Sequence, residues 1–180
     1  MLTFLCGGVR SGKSSYGESL AVKKKRDEGR LIYIATAVKT DEEMEERIAH
    51  HQHKRALEAD WHTLERPYHL LSLIHEIAPT DVVFLDCLTT WLSNEMFFQS
   101  SEKVQTAAVK ERMMKTIDQL NRHCSELFII SNDLFHEPVA EEESVRQYVQ
   151  LLGEIHQYIV KKAHVAIQME HGVPIYWKGR

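Results

Sequence analysis

Residues 7–14 read Gly7-Gly8-Val9-Arg10-Ser11-Gly12-Lys13-Ser14, matching G-x-x-x-x-G-K-[ST], and they follow directly on the apolar run Leu2-Thr3-Phe4-Leu5-Cys6. The run reads as a buried strand. The stretch from Ser15 to about residue 28, with Tyr16 and Leu20 one helical turn apart, reads as a helix. Strand, glycine loop and helix in that order make a phosphate cradle. Glycines let main-chain N–H groups turn inward around a triphosphate, Lys13 neutralises the β and γ oxygens, and the Ser14 hydroxyl ligates Mg²⁺ at the helix N-terminus. The competing reading is a glycine-rich turn with no ligand; the flanking strand and helix favour the cradle, and with it GTP or ATP.

A chain of 180 residues, 43% hydrophobic, is long enough for one full core and too short for two ordinary domains, so a single domain over 1–180 is expected. A net charge of −4 and a pI near 6.3 lack the positive field of a nucleic-acid binder. The local cluster Lys23-Lys24-Lys25-Arg26 reads as a solvated helix end with Gly29 as its C-cap, an interaction patch being the alternative. Cys6, Cys87 and Cys124 show no C-x-x-C spacing, and their odd number argues against a disulfide framework and for a reducing cytoplasm. No basic segment precedes an apolar leader and no run approaches about 18 apolar residues, so neither a signal peptide nor a membrane span is expected.

Further apolar runs are Leu31-Ile32-Tyr33-Ile34-Ala35-Thr36, Val82-Val83-Phe84-Leu85-Asp86, Leu127-Phe128-Ile129-Ile130-Ser131-Asn132, Val165-Ala166-Ile167-Gln168 and Pro174-Ile175-Tyr176-Trp177. Continuous runs of this kind suit strands buried on both faces. Helical stretches fall near 41–57, 89–99, 103–124 and 141–162, with Glu141-Glu142-Glu143 at the favourable first turn of the last. The alternation predicts an α/β fold of the P-loop NTPase type, three layers around a mostly parallel sheet.

Val82-Val83-Phe84-Leu85-Asp86 has the form of a hydrophobic strand ending in an acid. Beside a phosphate cradle, Asp86 would hold Mg²⁺ or its water shell opposite Ser14; a cap on the following helix is the plainer alternative.

A second constellation follows Thr40-Asp41-Glu42-Glu43, a capping box that starts a helix through Arg47-Ile48-Ala49-His50-His51-Gln52-His53-Lys54-Arg55. Met44, Ile48, His51 and Arg55 descend one side, whereas Arg47, His50 and Lys54 share another. Flanking cations disfavour imidazolium, so His50 should stay neutral, and they attract polyphosphate. A neutral imidazole can attack phosphorus, and Glu46 one turn earlier could fix its tautomer. Spacing alone leaves a solvated polar helix equally open, while the absence of H-E-x-x-H and of nearby cysteine argues against zinc.

Taken together, the glycine loop, Tyr33-Ile34-Ala35-Thr36, Arg47-Ile48-Ala49-His50-His51, Trp61-His62-Thr63-Leu64-Glu65 and Asp86-Cys87-Leu88-Thr89-Thr90-Trp91-Leu92-Ser93-Asn94 resemble the bifunctional adenosylcobinamide kinase/adenosylcobinamide-phosphate guanylyltransferase family of cobalamin assembly. The match covers about residues 1–98. It implies phosphorylation of the aminopropanol hydroxyl of adenosylcobinamide, a corrinoid small molecule, followed by GMP transfer from GTP through a guanylylated histidine. By position that nucleophile is His50. The resemblance also implies that Thr36, Ala37, Val38, His51, Gln52, His53, Lys54, Glu65 and Asp86 line the nucleotide site and that the protein is a homotrimer; the residues themselves make Lys13 catalytic, stabilising with Mg²⁺ the charge that develops as His50 attacks.

The second half departs from the family pattern. Where N-E-V-G is usual, this chain reads Asn132-Asp133-Leu134-Phe135-His136-Glu137-Pro138, changing both the glycine and the carboxylate position. Where R-D-x-x-G-x-x-N is usual, Val149-Gln150-Leu151-Leu152-Gly153-Glu154-Ile155-His156 keeps only the glycine. Another P-loop small-molecule kinase would not need His50, and a non-enzymatic GTP- or ATP-binding regulator would bind without turnover.

Overall fold

The computed structural model describes residues 1–38, 59–98, 105–136 and 141–179. In chain order the elements are β1 (Leu2–Gly7), α1 (Lys13–Lys24), β2 (Leu31–Ala35), β3 (Trp61–Glu65), a 3-10 helix (Leu70–Glu76), β4 (Val82–Asp86), α2 (Leu88–Phe97), α3 (Thr106–His123), β5 (Glu126–Asn132), α4 (Glu143–Lys162), β6 (Val165–Glu170) and β7 (Val173–Lys178). The strands form one seven-stranded sheet in the order β3-β2-β4-β5-β1-β6-β7. Every neighbouring pair is parallel except β6 with β7.

Alternate residues of each central strand serve opposite layers. Phe4, Ile34, Leu85 and Ile129 join a core with Leu92, Met113, Leu152 and Ile155, so the 3-10 helix, α2, α3 and α4 cover one face. Leu5, Tyr33, Phe84 and Phe128 join Ala21 of α1 on the other. Both faces are dry, which is why the central strands read as unbroken apolar runs. The result is the three-layer α/β arrangement expected from the sequence.

Two elements carry no expectation from the sequence, and one local reading changes. Trp61-His62-Thr63-Leu64-Glu65 is a strand: it pairs only with β2, at the sheet edge, and its partly exposed residues lack the apolar run that marks a central strand. Gly29 does not cap α1. The helix closes at Lys24, with the Lys25 N–H shared between the Ala21 and Val22 carbonyls, and Gly29 sits where a Cβ would stand 2.2 Å from the Thr80 carbonyl oxygen. The 3-10 helix has no sequence signal of its own. The expected helix over 41–57, with its capping box, lies outside the described residues. Lys23 and Lys24 occupy the last turn of α1 as expected, and all three cysteines are free. No helix among the described residues is long and apolar enough to cross a membrane.

Asp81 pins the start of β4 to the start of β2. Its fully buried carboxylate accepts from the Arg30 N–H (2.9 Å), the Arg30 guanidinium (2.6 Å) and the Ala78 N–H (2.8 Å). Burial alone would raise its pKa, but these hydrogen bonds outweigh that and hold the carboxyl below its ordinary value. Asp81→Ala should therefore cost roughly 2–4 kcal/mol, measured by denaturant unfolding. Because the folded pKa is lowered, this stabilisation is complete above the ordinary carboxylate value of about 4 and is lost as pH falls through the folded one. The wild-type melting midpoint should drop more steeply in acid than that of Asp81→Asn; parallel curves would contradict this.

Candidate nucleotide and phosphoryl-transfer site

The cradle stands at the C-terminal edge of the sheet, where central β1 turns into α1. Gly12 precedes the helix with φ 85°, in the left-handed region that glycine enters without a Cβ penalty. Gly7 is needed for a different reason: a Cβ there would lie 2.6 Å from the Met169 carbonyl oxygen and 2.8 Å from Ser11 Oγ. The loop is closed by Ser11 N–H to Gly8 O (3.2 Å), and the β6–β7 turn braces it through Gly172 N–H to Ser11 O (3.1 Å). Lys13 is buried, with Nζ donating to Gly8 O at 3.1 Å. An ammonium has three donors, so this bond leaves capacity for phosphate oxygens. Ser11 Oγ is buried without a protein partner, a polar atom inside the loop that suits an anionic ligand.

Asp86 ends β4, two strands from β1, and reaches back to the cradle. Its Oδ2 accepts from Ser14 Oγ at 3.2 Å and from the Tyr33 hydroxyl at 2.6 Å. The following helix takes no side-chain cap, so Asp86 is not its capping residue. Two oxygen donors this close suit a hard divalent cation such as Mg²⁺. Among the described residues no group of three His, Cys, Asp or Glu side chains forms a metal cage.

Thr36, fully buried, spends its hydroxyl on the protein: it donates to Cys87 O (2.9 Å) and accepts from the Cys87 N–H (2.9 Å). Ala37 and Val38 follow it at the edge, partly exposed. Asn94 on α2 donates to both Thr36 O (2.8 Å) and Pro67 O (2.9 Å), tying together the loops that leave β2 and β3. Glu65 ends β3, and Ala35 of β2 is in register with both Glu65 and Asp86, so the two carboxylates flank it at one level. His50, His51, Gln52, His53 and Lys54 lie outside the described residues.

Sequence reasoning assigned no role to several residues that the fold brings here. Tyr33 was legible as part of an apolar run and of the family motif but with no role of its own, yet its hydroxyl holds Asp86. On the sheet face opposite α1, Ser131 Oγ bonds His156 Nε2 (2.7 Å), and the His156 ring packs edge-on against Phe4 and Phe135. Burial pushes His156 down to about 4, so it is neutral at physiological pH. Burial and the Asp133 charge push the Cys6 thiol up to about 12, against the Gly7 N–H and the Lys13 charge, so Cys6 stays a thiol. Gly153, kept within the altered second half, lies under the Phe135 ring, where a Cβ would stand 3.4 Å from Cε1.

Comparison with known proteins supplies the wider context. The family described as cobinamide kinase/cobinamide phosphate guanyltransferase matches residues 3–176. The bifunctional adenosylcobalamin biosynthesis protein CobU of Escherichia coli is 29% identical over 97% of this chain and 98% of its own length. The corresponding CobP of Pseudomonas aeruginosa is 32% identical over 99% of this chain and 98% of its own length. Among solved structures, an ATPase domain superposes with a TM-score of 0.51 at 9% identity, covering 99% of this chain and 77% of that one, a likeness of fold alone. The sequence resemblance rested on the first half, whereas the family match runs through the altered second half as well, and the chain belongs to the cobinamide kinase/cobinamide phosphate guanyltransferase family.

Proposed function

We propose that this chain, as a single domain, phosphorylates the aminopropanol hydroxyl of adenosylcobinamide and then transfers GMP from GTP to that phosphate through His50. The observation that carries the reading is the convergence of Lys13, Ser14 and Asp86 on one glycine loop, in a chain whose family match spans residues 3–176. In the kinase step the acceptor oxygen bonds to the γ-phosphorus as the bond to the leaving nucleoside diphosphate breaks; Lys13 and the loop N–H groups of Gly7 to Ser14 take up the developing charge. In the transferase step a His50 ring nitrogen bonds to the α-phosphorus of GTP and pyrophosphate leaves. A phosphate oxygen of the phosphorylated corrinoid then displaces the histidine, breaking N–P and restoring the free imidazole.

Ser14 and Asp86 are the residues that would hold Mg²⁺, which when bound neutralises charge on the β and γ oxygens. Thr36 to Val38, His51 to Lys54 and Glu65 are proposed to surround the nucleotide. A reducing cytoplasm suits the three free cysteines, and a homotrimer is the expected assembly.

The reading is tested by incubating the protein with α-labelled GTP and Mg²⁺, mapping an acid-labile GMP adduct to His50, and following nucleotide-dependent phosphorylation of adenosylcobinamide. A chain that binds nucleotide but forms neither product would be a regulator. Asp86→Asn keeps the acceptor for the Tyr33 hydroxyl but removes the charge. Its apparent Mg²⁺ requirement should rise on the order of tenfold with the melting midpoint little changed. A changed midpoint with an unchanged Mg²⁺ titration would give Asp86 a structural role only.

A further inference from the structure

We infer that Asp133 is the catalytic base of the kinase step and that the acceptor hydroxyl approaches from the sheet face opposite α1. The inference rests on the kinase reading above. Asp133 directly follows β5, the strand between the cradle strand β1 and the Asp86 strand β4. Its N–H donates to Gly7 O at 3.1 Å, which fastens it to the first glycine of the cradle. The charges of both Asp133 and Lys13 reach the Cys6 thiol near the end of β1.

Asp86 and Asp133 stand at different levels of the sheet's C-terminal edge. Asp86 is in register with Ile130, and Asp133 comes three residues later in the chain, just past the end of β5. Asp86 meets Ser14 and Tyr33 on the α1 side, whereas the Asp133 charge reaches Cys6 and His156, which pack on the other side of the sheet. The two carboxylates divide the work in this inference, Asp86 toward the metal and Asp133 toward the acceptor.

Asp133 keeps acceptor positions open for a substrate hydroxyl. Oδ1 accepts the Phe135 N–H (3.2 Å), and Oδ2 is 3.3 Å from Nε2 of His136, whose own side chain is 84% exposed. A carboxylate offers about four lone-pair positions, so a substrate hydroxyl can be bound beside these. Glu95, the buried acid of the same layer, is by contrast taken up by Trp91, Arg112 and the His69 N–H. Next to Asp133 the half-exposed Phe135 ring supplies an apolar wall suited to a large acceptor. The step balances: the acceptor O–H bond breaks with its proton passing to Asp133, the O–Pγ bond forms, and the bond from Pγ to the β-phosphate oxygen breaks with its electron pair leaving on the nucleoside diphosphate.

The experiment compares the wild type with Asp133→Asn and Asp133→Ser, both of which preserve an acceptor for the Phe135 N–H. Two reactions are followed: phosphorylation of adenosylcobinamide, and GMP transfer to adenosylcobinamide phosphate made beforehand. Both variants should lose at least about 100-fold in kinase kcat with the nucleotide KM within about 3-fold, and should keep covalent GMP labelling and GMP transfer. Asp133→Glu, which restores the carboxylate, should recover at least about a tenth of the kinase activity. Kinase activity within about 3-fold of wild type in the Asn or Ser variant overturns the inference, as does an equal loss of both reactions. A wild-type chain that phosphorylates nothing overturns the functional reading itself, and this inference with it.

Discussion

Lys13→Ala should lower kcat/KM for nucleotide-dependent phosphorylation by about 100- to 1,000-fold, equivalent to roughly 3–4 kcal/mol of transition-state stabilisation. Lys13 is buried inside the loop, and its ammonium is held 3.1 Å from Gly8 O, so the charge is already in place before phosphoryl transfer begins. A preorganised charge in a water-poor cradle is worth far more than the same charge in solvent. The fold itself loses one hydrogen bond to a backbone carbonyl, worth about 1–2 kcal/mol, so the melting midpoint should move little beside the activity. Steady-state phosphorylation of adenosylcobinamide and a thermal melt separate the two. Activity within about 3-fold of wild type would remove the loop from the mechanism.

His50→Ala should abolish covalent incorporation of α-label from GTP while leaving phosphorylation of adenosylcobinamide within about 3-fold of wild type. The kinase step does not need the imidazole, since γ-phosphoryl transfer to a hydroxyl proceeds by positioning and charge stabilisation. His50 is singled out over His51 and His53 because it matches the first histidine of the family motif and stands three residues after Arg47 and four before Lys54. Label that persists in His50→Ala and disappears in His51→Ala would reassign the nucleophile. Loss of the kinase step together with the label would show that the residue organises the whole site.

The central sheet was legible because strands β1, β2, β4 and β5 are buried on both faces and must be apolar at nearly every position, a pattern that needs no knowledge of neighbours. Edge strand β3 escaped because only part of its surface is buried, so Trp61-His62-Thr63-Leu64-Glu65 carries a weaker signal. The phosphate loop was legible for a similar reason. Its glycines answer to local demands: the φ of 85° at Gly12 belongs to the turn itself. The crowding at Gly7 was different, because the Met169 carbonyl that causes it lies on a strand far along the chain.

The sequence by itself determined the alternation of elements, the cradle and the acid that ends β4, since each is written in a few consecutive residues. Only the tertiary structure decided which strands are neighbours and therefore which groups meet. It brought Asp86 to Ser14 across 72 positions, gave the Tyr33 hydroxyl a carboxylate to hold, and joined Asp133 to Gly7. Strand order and register are selected by the packing of side chains from distant segments on both faces of the sheet, and no local stretch of residues encodes that choice.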